Sequence, residues 1–124
     1  MYEVRVEKQF SSAHFLRNYK GKDEPLHGHN WKVRVRFQGE KLAEPEEYLV
    51  DFAEVSETLD KIIAKIDYKN INEVPPFDRR NPSAENIAQW IHSEFARLSP
   101  SLKPSSVTVW ETDGCAASFS PSNR

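Results

Sequence analysis

The tripeptide His27-Gly28-His29, with His14 thirteen residues before it, is a residue set that can do metal chemistry. Side chains at i and i+2 of a β-strand point to one face, so His27 and His29 can share a ligand if this stretch is extended. Gly28 between them adds no bulk and lets the backbone approach a ligand closely. His14 sits in the strand-like run Gln9-Phe10-Ser11-Ser12-Ala13-His14-Phe15. Antiparallel pairing of the two runs would bring it beside the other two. Three neutral imidazoles with an open fourth position make a catalytic zinc site, and histidine is the commonest metal ligand. A surface loop with chance histidines is the bland alternative. The third histidine on a neighbouring predicted strand weighs against it.

These residues need a scaffold, and its elements are legible. Tyr2, Val4 and Val6 alternate with Glu3, Arg5 and Glu7, which predicts a half-buried strand running on through Phe10 to His14. Arg17 to Pro25 reads as a polar loop. Trp31, Val33, Val35 and Phe37 alternate with Lys32, Arg34 and Arg36, a second strong strand. Gln38 to Glu47 carries Gly39 and Pro45 and reads as a turn region. Val55, Leu59, Ile62, Ile63 and Ile66 follow at helical spacing, with Asp51 as N-cap and Glu54 completing a capping box. Asp67 to Arg80 is irregular. Ser83 can cap a second helix whose apolar face is Ala84, Ile87, Ala88, Ile91, Phe95 and Leu98. Val107, Val109 and Glu111 share one face of a third strand, Ala116 to Phe119 form a short fourth, and Ser120 to Arg124 read as a frayed tail. Strands and helices segregated in this order predict an α+β domain, a ββααββ antiparallel sheet with both helices on one face. Its open edges invite pairing with other subunits in a closed, symmetric oligomer.

Composition narrows the class. A chain of 124 residues with net charge -2 fits a single domain over 1–124. No basic excess points to nucleic acid; Lys32, Arg34 and Arg36 alternate on a strand face that is solvated or turned to an anionic ligand. The lone Cys115 excludes an intrachain disulfide and suits a reducing, cytoplasmic setting. The start Met1-Tyr2-Glu3-Val4-Arg5 lacks the apolar region of a secretory leader. No stretch approaches the ~20 apolar residues needed to span a membrane.

Five motifs then occur in a telling order: Phe10-Ser11-Ser12-Ala13-His14, Leu26-His27-Gly28-His29-Asn30-Trp31, Val50-Asp51-Phe52, Asn81-Pro82-Ser83-Ala84-Glu85-Asn86 and Trp110-Glu111-Thr112. Together they resemble the 6-pyruvoyl-tetrahydropterin synthase / 6-carboxy-tetrahydropterin synthase family over nearly the whole chain. The resemblance implies a T-fold (tunnelling fold) whose sheets join into an oligomeric barrel, usually a hexamer built as a dimer of trimers. It implies Zn2+ on His14, His27 and His29, and a pterin triphosphate substrate anchored by Glu111. The chemistry of that anchor is plain: a pterin edge offers N3–H and a 2-amino group side by side, and one carboxylate accepts from both. An exposed strand carboxylate is the alternative for Glu111. Ser83 and its neighbours can contact the pterin as well as cap the helix.

Two departures from the family pattern bear on the reaction. Most members carry a cysteine base shortly before His-Gly-His, whereas this chain reads Lys22-Asp23-Glu24-Pro25-Leu26, and Cys115 lies too far along to be its counterpart. Glu24, three residues before His27, resembles the type III synthases. Their implied reaction cleaves 7,8-dihydroneopterin triphosphate to 6-hydroxymethyl-7,8-dihydropterin, in folate synthesis. Carboxylates do serve as general bases in suitable surroundings; a solvated loop residue is the alternative, and neighbouring Asp23 is a competitor. The second departure is Asp67-Tyr68 where the family has Asp-His. A phenol can donate a proton but is a poorer base near neutrality than an imidazole; Tyr68 can instead simply pack. The resemblance thus implies Glu24, Asp67 and Tyr68 as catalytic groups, with Arg17, Lys20 or Lys22 as candidates for holding the triphosphate. The alternatives are 6-carboxy-tetrahydropterin synthase of 7-deazaguanine (queuosine) synthesis and a non-catalytic zinc or pterin-binding scaffold. His92 reads as a surface residue, and Trp31 and Trp110 as core.

Overall fold

Alternating side chains at the start of the chain need one wet face and one dry one, and the sheet supplies both. In a computed structural model describing residues 1–122, β1 (Tyr2–His14) and β2 (His27–Gly39) pair antiparallel. Their register sets Val6 against Val35, Phe10 against Trp31 and His14 against His27. After α1 (Phe52–Ile63) and α2 (Ala84–Leu98) come β3 (Ser106–Thr112) and β4 (Cys115–Phe119), completing one sheet in the order β1-β2-β3-β4. The expected ββααββ order stands, with β4 one residue longer than read. The tail expectation extends to residues 123–124, which lie outside the described residues.

Both helices cover one face, α1 over β1 and α2 over β3 and β4. Phe10, Trp31, Val33, Val35, Phe37, Val107 and Val109 of the sheet meet Val55, Leu59, Ile62, Ile87, Ile91 and Phe95 of the helices in a dry core. Each such side chain contributes roughly 1.5–3 kcal/mol by burial. Asp51 caps α1 by accepting from the Ala53 amide at 3.0 Å, while Glu54 only lends its charge to the first turn. Ser83 caps α2, its Oγ accepting from the Asn86 amide at 3.1 Å.

Two expectations need correction. Trp110 is not core: strand alternation turns it to the opposite face, beneath Lys32 at 4.6 Å and Arg34 at 4.9 Å. That face is laced by ion pairs, Glu3–Arg36 at 2.7 Å and Glu7–Arg34 at 2.5 Å. His92 is no free surface residue either. It is half-buried, its Nε2 lies 2.9 Å from the Pro104 carbonyl, and its ring meets Phe119 edge-on.

Glu94 is the polar exception on the buried side of α2. Its carboxylate bonds Arg97 at 2.9 and 3.0 Å and also Lys65 beyond α1, while its own side chain is only 12% exposed. The Arg97 hydrogen bonds above all, against the opposing effect of burial, hold its pKa down to about 2. A depressed folded-state pKa stabilises above the ordinary carboxylate value and loses that stabilisation as pH falls from roughly 4.5 toward 2. Glu94→Gln is therefore expected to cost about 2 kcal/mol at neutral pH, allowing for the exposure of Arg97, and to flatten the acid limb of stability. Thermal melts of both proteins at pH 7 and pH 3 check this.

Candidate metal centre

The β1–β2 register builds the site. His14 faces His27 across the ladder, and Ser12 faces His29, so the three imidazoles crowd together at one end of the sheet. Ring centroids lie 4.7 Å apart for His14–His27, 5.3 Å for His14–His29 and 4.8 Å for His27–His29. Trp31, next in the same i+2 series, packs edge-on against His14 and His29 at 4.7 and 5.4 Å. Its indole N–H donates to the Ser12 carbonyl at 3.1 Å, which locks it in place.

Backbone carbonyls assign the tautomers. His14 Nδ1 lies 2.8 Å from the Pro82 carbonyl, and His27 Nδ1 lies 2.9 Å from that of Pro25. A carbonyl only accepts, so each Nδ1 carries a proton, and in the neutral ring each Nε2 then presents a lone pair. This is the support that metal-ligating histidines ordinarily receive. Nε2 of His14 and of His29 is buried and has no hydrogen-bond partner among the described residues. Two buried ring nitrogens left without a partner are costly, and a metal ion between them would engage both. His14 is 1% exposed, and burial above all pushes its pKa below the ordinary imidazole value, keeping it in the neutral, ligating form.

Glu111 joins this cluster. Across from β4, Trp110 pairs with Ala116 and Thr112 with Cys115, leaving Glu111 as the extra residue of a β-bulge. Bulges re-aim side chains beside functional sites. Here Glu111 Oε1 lies 2.9 Å from His14 Nε2 and 3.6 Å from His29 Nε2. One ligand atom from each of His14, His27, His29 and Glu111 falls within 4.8 Å of all the others. A set of three imidazole nitrogens and a carboxylate oxygen suits zinc.

A cleft of about 220 Å³ opens beside Glu111, lined also by Leu16, Ser83, Ala84 and Cys115. Ser83 thus caps α2 and faces the cleft. Glu24 is half-buried, and its loop is pinned next to the cleft: Oε1 accepts from the Leu16 amide at 2.9 Å, and its own amide donates to the Leu16 carbonyl at 3.0 Å. Asp23 is used in the same way, accepting from the Asn18 amide at 3.1 Å. Asp67 and Tyr68 join neither the histidine cluster nor the cleft wall. Asp67 Oδ1 accepts from the Ser11 amide at 2.9 Å, and the Tyr68 amide donates to the Ser11 carbonyl at 2.7 Å. They clamp the outer edge of β1, and the Tyr68 side chain projects into solvent, 83% exposed. Arg17 is not free to hold a triphosphate, because its guanidinium donates to the carbonyls of Asn72, Phe77 and Arg80. Lys20 and Lys22 remain exposed.

Sequence reasoning placed Trp31 in the core and missed that it holds two of the imidazole rings. The i+2 series His27, His29, Trp31 was the available signal. It also missed the Pro82 and Pro25 carbonyls, since a backbone acceptor supplied by the tertiary fold leaves no side-chain signature.

The family model described as 6-pyruvoyl tetrahydropterin synthase matches residues 3–122. The Pyrococcus furiosus dihydroneopterin monophosphate aldolase is 29% identical over 103 residues, covering 82% of each chain. The 6-carboxy-5,6,7,8-tetrahydropterin synthase of a Synechocystis strain is 32% identical over 128 residues, covering 98% of this chain and 95% of that one. In three dimensions, the Caenorhabditis elegans 6-pyruvoyl tetrahydropterin synthase superposes with a TM-score of 0.82 at 24% identity, covering 98% of each chain.

Proposed function

Since the chain belongs to the 6-pyruvoyl tetrahydropterin synthase family, we propose that it is a zinc-dependent pterin lyase, most simply one that cleaves the side chain of 7,8-dihydroneopterin triphosphate to 6-hydroxymethyl-7,8-dihydropterin. The observation that carries the reading is the pair of buried, unpartnered imidazole nitrogens of His14 and His29, converging on Glu111 at the wall of a cleft. The name of the aldolase relative favours carbon–carbon cleavage; that of the Synechocystis relative favours the 6-carboxy-tetrahydropterin alternative.

His14, His27 and His29 would hold the zinc, which when bound acts as a Lewis acid that acidifies a side-chain hydroxyl. Glu111 accepts from N3–H and the 2-amino group, and Ser83 supports the pterin from the start of α2. Glu24, with one oxygen fixed by Leu16, takes the C2′ hydroxyl proton on the other. The C1′–C2′ bond then breaks, C2′ becomes an aldehyde carbon, and the electron pair passes to C1′ and its conjugated ring. Protonation of C1′ completes the hydroxymethyl group. Asp67 and Tyr68, which lie outside this chain's own cleft, are assigned that return step, with the exposed Tyr68 side chain offered to a neighbouring subunit of the proposed hexamer.

Binding tests the pterin half of the reading. Zinc-loaded protein is expected to bind 7,8-dihydroneopterin, and Glu111→Gln to weaken binding by about 1.5–3 kcal/mol, because the amide turns one acceptor into a donor facing the pterin edge. Fluorescence titration measures both. Equal affinity would move the anchor elsewhere, and no binding by the wild type would remove the pterin reading.

A further inference from the structure

Glu111 is placed where two tasks compete for it. The pterin anchor needs its carboxylate turned to the cleft, yet one of its oxygens lies 2.9 and 3.6 Å from two orphaned imidazole nitrogens. In the tautomer that the Pro82 carbonyl selects, His14 Nε2 turns a lone pair toward the Glu111 oxygen. A cation placed between these atoms would be held by the two ring nitrogens and the carboxylate oxygen together. A tetrahedron with metal–ligand bonds of about 2.0–2.1 Å has edges of about 3.3 Å, and the two distances bracket that value. The bulge at Glu111 aims its side chain between the histidines and the cleft.

We propose that Glu111 is the fourth metal ligand of the substrate-free protein, and that a bound pterin draws its carboxylate from the metal to the pterin edge, opening the coordination position. This rests on the metal centre and pterin anchor proposed above and adds a coupling between them. A ligand that bears hydroxyls but lacks the two-donor pterin edge does not release Glu111, so it meets a closed metal. The carboxylate thereby selects substrate at the metal as well as at the ring.

The test reads the metal directly. Zinc affinity is measured by competition with a chromophoric chelator, and the cobalt(II)-substituted protein is followed by visible absorption, for the wild type, Glu111→Gln, Glu111→Ala and His27→Ala. The two Glu111 variants are expected to bind zinc at least about tenfold more weakly than the wild type, at unchanged far-ultraviolet circular dichroism. Their cobalt spectra should differ from the wild type, and 7,8-dihydroneopterin should shift the wild-type spectrum toward theirs, whereas glycerol should not. Wild-type zinc affinity and an unaltered cobalt spectrum in both Glu111 variants would overturn the inference and leave the three-histidine centre standing. Zinc retention by His27→Ala would overturn the centre itself, and this inference with it.

Discussion

His27→Ala and His29→Ala are expected to emerge from purification without metal, and the wild type with about one zinc per chain. Each removes one of the three imidazoles proposed to hold the metal. The loss in affinity should exceed the roughly 10–100-fold that accompanies removal of a merely supporting contact. His27 and His29 are the better probes because both are half-buried, whereas His14 is buried against Trp31 and its removal would also leave a cavity. Turnover should vanish with the metal. The folded sheet should persist, because the β1–β2 ladder is made by backbone groups and the core is touched by these rings only where His29 meets Trp31 edge-on. Elemental analysis after dialysis reads the outcome, and wild-type zinc content in either variant would remove the basis for the site.

Glu24→Gln should keep zinc and pterin binding while turnover falls about 10²–10⁴-fold, the usual worth of a positioned general base. The substitution is well isolated here. A glutamine Oε1 can still accept from the Leu16 amide, so the loop keeps its shape and only the proton-accepting charge is lost. Asp23→Asn is the necessary companion, since Asp23 is adjacent and likewise accepts a backbone amide through one oxygen. Glu24→Cys should shift part of the product toward that of the cysteine-bearing relatives. If Asp23→Asn abolishes turnover while Glu24→Gln is silent, the base has been misassigned. If both are silent in an active enzyme, neither carboxylate is the base.

The histidine site was legible because its geometry follows from strand alternation alone: i and i+2 fix His27 and His29, and an antiparallel partner brings His14. The caps Asp51 and Ser83 were legible for a similar reason, since their bonds are local. What sequence could not supply was non-local or set by irregular backbone. The Pro82 carbonyl reaches His14 only because α2 begins over the end of β1. Glu111 reaches the histidines through a bulge that no residue in Trp110-Glu111-Thr112 announces. Trp110 was misplaced because an apolar side chain was assigned to the core ahead of its strand phase, although Val107 and Val109 fix that phase. His92 and Arg17 were misread because their partners are carbonyls distant in sequence.

Carbon–carbon cleavage of a pterin side chain at the histidine cluster, as proposed, leaves a distinctive product. It is tested most directly by identifying the products released when zinc-loaded protein meets 7,8-dihydroneopterin triphosphate, with metal-stripped protein alongside. Zinc-dependent release of 6-hydroxymethyl-7,8-dihydropterin is the expected result. Release of 6-carboxy-tetrahydropterin, or substrate left unchanged by the zinc-loaded protein, would contradict it.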